Sequence, residues 1–364
     1  MKTNCLFIIL VSSLYSLTLS GQDLQQSAQP QKLSATSKYD FIPGESVVFY
    51  DDFTQDNIGD FPGLWNTDGS GEIVTTNLFQ GRWLKLGVSA EFVPATKKVF
   101  PDNFTVEFDL LPIPGPNDEN TITFGFYIYS AVNPNDLAEG GAIPGVAGIR
   151  MKFGNYQHEY STYSEGLYNL NGNTENNPLV INQKARLSFW VQKTRVRAYL
   201  NDVKIFDLAK ALAPGLGYNA LRFETGSEAQ NLIANFRVAV GAPDMRNKLI
   251  TEGKLVTYGI YFDSGSDKIK PESAGTMKEI ATVLKENPTV KIKIIGHTDS
   301  DGDATKNLDL SKRRSISVKN ALSTEYGIEA ARIETDGKGA TEPVAPNTTS
   351  EGKAKNRRVE LIKL

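Results

Sequence analysis

"GHTDSDGDATKNLDLSKRRS", Gly296 to Ser315, holds four aspartates and four basic residues in twenty positions. Its reading decides what the last part of the chain is. Asp299, Asp301 and Asp303 stand two apart, which invites a calcium-loop reading because hard cations want several carboxylate oxygens. An EF-hand loop begun at Asp299 requires Gly at its sixth place and Glu at its twelfth, where this chain has Ala304 and Leu310. A paired-carboxylate hydrolase is a second reading, but nothing nearby selects for it. For Asp301 and Asp303 a solvated polar loop, Ser300 to Thr305, is the simpler account.

Arg314 breaks the symmetry among these charges. On a helix of 3.6 residues per turn, Leu310, Arg314, Val318 and Ala321 share one sector, with Leu322 at its edge. Arg313 and Lys312 lie away from it, as solvated charges do. A guanidinium on an apolar face needs an acidic partner, a ligand carboxylate, or both. Asp299, at the end of the strand-like "KIKIIGHTD", is the natural candidate. An internal salt bridge of structural value alone fits the same facts.

Outward from this stretch, strands and helices alternate. "LVTYGIYF" from Leu255 and "TVKIKIIGH" read as strands. "PESAGTMKEIATVLKEN" reads as a helix with Pro271 in its first turn, and "LDLSKRRSISVKNALSTEYG" as a helix closed by Gly327. A short helix near Ile328 to Arg332, the strand-like "IETDGKG", a polar loop and a last strand "RRVELIKL" complete an α/β domain over 255–364.

The series "YFDSGSDKIKP" (Tyr261 to Pro271), "GHTDSDGDATKNLDLSKRRS" and "GIEAARIETDGKGATEPVAPNTTSEGKAKNRRVEL" (Gly327 to Leu361) strongly resembles the OmpA-like peptidoglycan-binding family, which includes peptidoglycan-associated lipoproteins and flagellar stator proteins. The resemblance implies that Asp299 and Arg314 bind the diaminopimelate side chain of the peptidoglycan stem peptide. The chemistry is consistent: the free end of that residue is a zwitterion, its carboxylate matching guanidinium and its ammonium matching aspartate. The family pocket maps further onto Phe262, Asp263, Thr298, Asn307 and Leu310. Asn356, Arg357 and Arg358 match the closing motif, taken as mainly architectural, with Asn356 near the pocket. His297 receives no role. His158 is the only other histidine, which argues against a histidine-based metal or catalytic site. No cofactor or metal is expected.

Before this domain the rhythm differs. Over 45–241, short alternating segments separated by Gly, Pro, Asn and Asp clusters have the pattern of an antiparallel β-sandwich. "NFTVEFDLLP" (Asn103 to Pro112), "RLSFWVQKTRVRAYLNDVKIFDL" (Arg186 to Leu208, with Asn201-Asp202 as a hairpin turn) and "NLIANFRVAVG" (Asn231 to Gly241) show it well. The long stretch Ser130 to Gly148 reads as a loop over one face, and 242–254 as a linker. Together with "VVFYDDF" and "GDFPGLWNTDGSGEIV", these segments more loosely resemble LamG-like, concanavalin-type jelly-roll sandwiches, many of which bind glycans or proteins.

Some relatives of that kind hydrolyse glycans, so Glu107 and Asp109, on one strand face, are the acid pair to weigh. Concanavalin-type hydrolases usually carry a further carboxylate on the same strand, where this chain has Leu111 and Pro112. Glu107 and Asp109 are therefore read as an outward face, with Val106, Phe108 and Leu110 inward. Trp65, Trp83 and Trp190 are read as core or rim packing rather than sugar platforms. Asp51 and Asp52 are candidates for a LamG-type calcium site without the rest of a ligand set.

The chain has 364 residues, 40% hydrophobic and 22% charged, with a formal net charge of −3. It has room for two domains, and no basic excess supports a nucleic-acid partner. Residues 1–21, with Lys2 ahead of an apolar run that ends in small residues, read as a cleaved secretory signal. The competing membrane anchor is short, and Ser12, Ser13 and Ser16 interrupt it. Cys5, the sole cysteine, lies inside the signal, so the mature chain has no thiol for disulfides, catalysis or zinc. Residues 22–44, rich in Gln, Ser and Pro, read as a flexible tether.

These readings converge on an exported, non-enzymatic envelope protein of a Gram-negative-type bacterium, periplasmic or outer-membrane-associated. It is held to peptidoglycan through diaminopimelate and displays a sandwich for a glycan or protein, with room for an outer-membrane partner. The alternative is a wall-targeted glycan hydrolase with catalysis in the sandwich.

Overall fold

The computed structural model describes residues 39–96, 99–115, 120–134, 137, 143–164, 170–227, 230–241 and 244–364. The proposed signal, most of the tether and the middle of the Ser130–Gly148 loop lie outside them. Fifteen strands precede the C-terminal domain: β1 (Ser46–Asp51), β2 (Trp65–Thr67), β3 (Gly71–Val74), β4 (Trp83–Leu86), β5 (Glu91–Pro94), β6 (Asn103–Ile113), β7 (Thr123–Ser130), β8 (Ala147–Gly154), β9 (His158–Ser164), β10 (Asn171–Thr174), β11 (Ala185–Gln192), β12 (Arg195–Leu200), β13 (Val203–Leu208), β14 (Ala220–Thr225) and β15 (Gln230–Val240).

They form two antiparallel sheets. One runs β13-β12-β11-β6-β15-β4-β3, with β1 on the other half of β15; the other runs β10-β9-β8-β7-β14-β5-β2. Inward residues of both meet in one core, where Phe108 of β6 lies 5.0 Å from Phe223 of β14 and Phe126 of β7 lies 4.5 Å from Phe189 of β11. Period-two alternation produces this arrangement, since each strand sends every second side chain inward. Asn201, at φ 55°, makes the β12–β13 hairpin turn. Val106, Phe108 and Leu110 point into the core, as their alternation predicts.

The C-terminal domain holds β16 (Lys254–Thr257), α1 (Ala274–Glu286), β17 (Ile292–His297), α2 (Ala304–Thr324), β18 (Ile333–Gly339), α3 (Ser350–Asn356) and β19 (Val359–Lys363). Its sheet runs β16-β19-β17-β18, with β17 and β18 parallel and α2 as their crossover. Two glycines let α2 lie close on this sheet: a Cβ on Gly296 would sit 2.3 Å from the Ser311 carbonyl oxygen, and one on Gly337 2.3 Å from the Lys312 nitrogen. Val318 and Leu322 of α2 close over Ile292, Ile294 and Ile333 in a second core. The short polar α3 lies inside the stretch expected to be loop.

Two expectations about chain organisation are corrected. The composition predicts a tether over residues 22–44, yet Phe41 is 0% exposed, packed against Tyr199 and Trp190 of the sandwich. Its carbonyl oxygen lies 2.2 Å from where a Cβ on Gly275 of α1 would be, so residues 39–44 run between the two domains. The expected linker is also packed, because Met245 and Leu249 belong to the second core. Apolar side chains scattered in Gln-, Ser- and Pro-rich text give no period by which to recognise such wedges.

Glu107 and Asp109 face away from the sandwich core as expected, but not into solvent. Arg237 stands opposite Glu107 across β6–β15, and Arg186 opposite Asp109 across β6–β11. Glu107 takes Arg237 at 2.8 Å and Arg186 at 3.2 Å, while Asp109 takes Arg186 at 3.1 Å and Asn235 at 2.8 Å. The Tyr261 hydroxyl, from the C-terminal domain, donates to Glu107. Glu107 is left 1% exposed. Around Glu107 the outward face of this sheet is thus part of the seam between the domains.

Candidate functional site

Strand β17 delivers Thr298 and Asp299 to the mouth of the C-terminal domain. The Thr298 amide donates to the Gly339 carbonyl at 2.9 Å and its hydroxyl to the Asp299 carbonyl at 2.8 Å. Asp303 then caps α2, accepting from the Lys306 amide at 2.9 Å. Asn307, in the first turn of α2, donates its side-chain amide to the Asp301 carbonyl at 2.8 Å and the Asp299 carbonyl at 3.4 Å. Thr298 and Asn307 therefore fix the backbone that presents Asp299. Of the remaining acids, Asp301 is exposed and pairs with Lys353 at 2.8 Å.

Arg314 is half-buried two turns further along α2. Its Nε donates to the Ser266 carbonyl at 2.9 Å and its Nη2 to the Asp263 carbonyl at 3.3 Å, and its guanidinium lies 4.8 Å from the Phe262 ring centroid. These three residues lie around the turn between Phe262 and Ile269, which pair as an isolated bridge. Leu310 is half-buried on the same flank of the helix. Among the described residues no carboxylate reaches salt-bridge distance of Arg314. Burial pulls its pKa down to about 10; Asp299 draws it up, while Arg313 and Arg357 push it down.

The expected Asp299–Arg314 pair is accordingly not a direct contact. Asp299, 8% exposed, accepts from Arg357 Nη1 at Oδ2, 2.6 Å, and from the Asp301 amide at Oδ1, 3.0 Å. Arg357 also lies 5.1 Å from the Tyr50 ring centroid and 3.8 Å from Asp52 Oδ2, both on the sandwich side. Sequence reasoning missed Arg357 as a site residue. In "NRR" nothing separates it from Arg358, which turns instead to Glu360 at 2.8 Å. Asn356 is fully engaged elsewhere: its Oδ1 accepts from the Val344 and Ala345 amides, and its Nδ2 donates to Ala345 and Asn347, which holds the 342–349 loop.

The other candidates are occupied by internal contacts. Asp51 accepts from the Phe53 amide at 2.8 Å and Trp65 Nε1 at 2.9 Å, and burial raises its pKa to about 6. Asp52 accepts from Thr54 and from the Ser350 hydroxyl at 2.9 Å. Trp65 and Trp83 are buried, and half-buried Trp190 is covered by Arg197 at 4.7 Å, so none is an open platform. Glu107 and Asp109, saturated by arginines under the second domain, offer no carboxyl to a substrate.

Together these groups set, on a β17–α2–β18 crossover, a carboxylate held by Arg357 and a guanidinium with no carboxylate partner among the described residues. Residues 261–357, which carry Asp299, Arg314 and Arg357, match the model of the OmpA family. Over 102 residues the chain is 48% identical to a probable lipoprotein, YiaD, of Escherichia coli, covering 28% of this chain and 46% of that one. It is 40% identical over 111 residues to outer membrane porin F of Pseudomonas aeruginosa, covering 30% and 32%. Among solved structures, the peptidoglycan-associated lipoprotein of Burkholderia pseudomallei matches at 29% identity, covering 33% of this chain and 98% of that one, with a TM-score of 0.28. The chain thus spans about half the length of the first curated relative and about a third of the second. No helix among the described residues is long and apolar enough to cross a membrane.

Proposed function

We propose that this chain is a non-enzymatic protein of the cell envelope that holds peptidoglycan non-covalently by the free end of diaminopimelate. The observation that carries the reading is the state of Arg314: a half-buried guanidinium bonded only to backbone carbonyls, with Asp299 among the charges that act on it. Leaving a cation without a counter-ion in such a place costs free energy that an incoming carboxylate recovers. Asp299 keeps lone pairs beyond its two bonds and takes the ligand ammonium. Phe262, Asp263 and Leu310 line the guanidinium side, and Thr298 and Asn307 hold the carboxylate side.

The OmpA family domain and a relative named for its association with peptidoglycan support this reading. A relative named as an outer membrane porin supports an exported, periplasmic or outer-membrane-associated location, for which residues 1–21 are read as the signal. The sandwich, in this reading a LamG-like jelly roll, serves as a binding module for a glycan or protein. Wild-type protein should co-sediment with insoluble, diaminopimelate-containing peptidoglycan, and folded Asp299→Ala and Arg314→Ala should stay in the supernatant. Sedimentation of both variants at the wild-type level would refute the pocket.

A further inference from the structure

The wall-binding mouth is not bounded by its own domain. Strand β1 of the sandwich lies against α3, with the Ser350 hydroxyl donating to Asp52 Oδ1 at 2.9 Å. From that strand and the residue after it, Tyr50 and Asp52 meet the guanidinium whose other side holds Asp299. The Tyr50 hydroxyl is itself fixed, donating to Asn235 Oδ1 at 3.0 Å. Charges therefore alternate from the seam to the mouth: Asp52, Arg357, Asp299, Arg314. Asp52 and Asp299 share Arg357, at 3.8 Å and 2.6 Å.

We infer that Tyr50 and Asp52 are positioning residues of the wall-binding site, setting through Arg357 how much of the Asp299 carboxylate is left for a ligand ammonium. The inference rests on the diaminopimelate reading above. Two anions now draw on one guanidinium. Without the Asp52 charge, Arg357 is neutralised by Asp299 alone, and a second cation is bound less well beside it. The Tyr50 ring limits where that guanidinium can move. A ligand that presents only a carboxylate, and so engages only Arg314, is not affected.

The test is a chemical-shift titration of the full chain with two probes: meso-diaminopimelate, and pimelate, which lacks both ammoniums. Asp52→Asn keeps the side-chain shape and should weaken diaminopimelate by about three- to tenfold, a modest loss because the effect passes through one intermediate ion pair. Its response to pimelate should match wild type, and Asp52→Glu should restore diaminopimelate binding. Tyr50→Leu, which removes the ring, should weaken diaminopimelate more than Tyr50→Phe, which keeps it. An Asp52→Asn protein that binds diaminopimelate like wild type, while Asp299→Ala does not, would overturn the coupling alone. Equal losses for both probes would also overturn it, by showing a merely structural role. A wild-type protein that binds no diaminopimelate would defeat the wall-site reading and this inference with it.

Discussion

His297, one residue before Thr298, is buried with neither ring nitrogen hydrogen-bonded. Burial, with Arg358 beside it, lowers its pKa to about 4, while Glu360 at 3.7 Å and Glu342 draw it up. The folded value lies below the unfolded one, so as pH falls through about 6.5 the unfolded chain takes up a proton that the native state refuses. Its contribution to stability is complete above that pH and is lost as pH falls towards 4. Urea unfolding of wild type and His297→Gln at pH 7 and pH 4.5 should show the variant losing less on acidification; equal losses would contradict this assignment. At this scale the sequence was informative where a side chain broke a pattern. Arg314 stood out because a guanidinium interrupted an apolar sector, and Asp299 because a strand ended on it. Arg357 broke no pattern, since its partners Tyr50, Asp52 and Asp299 are remote in the chain.

Strands β6, β11 and β15 carry the buried ion cluster; the alternation of β6 and β11 was readable, whereas β15 changes phase at a bulge between Ala234 and Arg237. What alternation cannot disclose is what covers an outward face. Glu107, Asp109, Arg186 and Arg237 have the composition of a solvated surface, and only the arrival of Tyr261 makes them interior. Asp109 shows the balance: burial pushes its carboxyl up, but Arg186, Lys184 and Asn235 outweigh burial and hold it below the usual carboxylate range. Removing one member leaves its partners charged and dry. Glu107→Ala should therefore cost about 3–5 kcal/mol in urea unfolding, well beyond an exposed-surface substitution. A loss under about 1 kcal/mol would mean that the seam is hydrated and the cluster weak. Helix α3 escaped sequence reading for a related reason: seven residues of "SEGKAKN" show no apolar stripe, and the helix is anchored by the Thr349 cap and by Ser350 on Asp52.

At the scale of the molecule, the chain was read correctly as a β part followed by an α/β part, because the change from period two to alternating strands and helices is abrupt. The seam was not legible, since its wedge, Phe41, sits in text with the composition of a tether. That wedge and the ion cluster join the two domains within one compact unit. Scanning calorimetry should accordingly give one cooperative unfolding transition rather than two, and Glu107→Ala should begin to separate them. Two transitions in wild type would show that the domains are docked only loosely. The placement of Arg357 bears on mechanical load. Tension applied at Asp299 is handed through Arg357 and α3 to β1, and from β1 along its hydrogen-bonded ladder into β15, a central strand of the larger sheet. On the proposed wall-binding reading, such a pull passes into paired strands instead of being absorbed by a pivot between the domains.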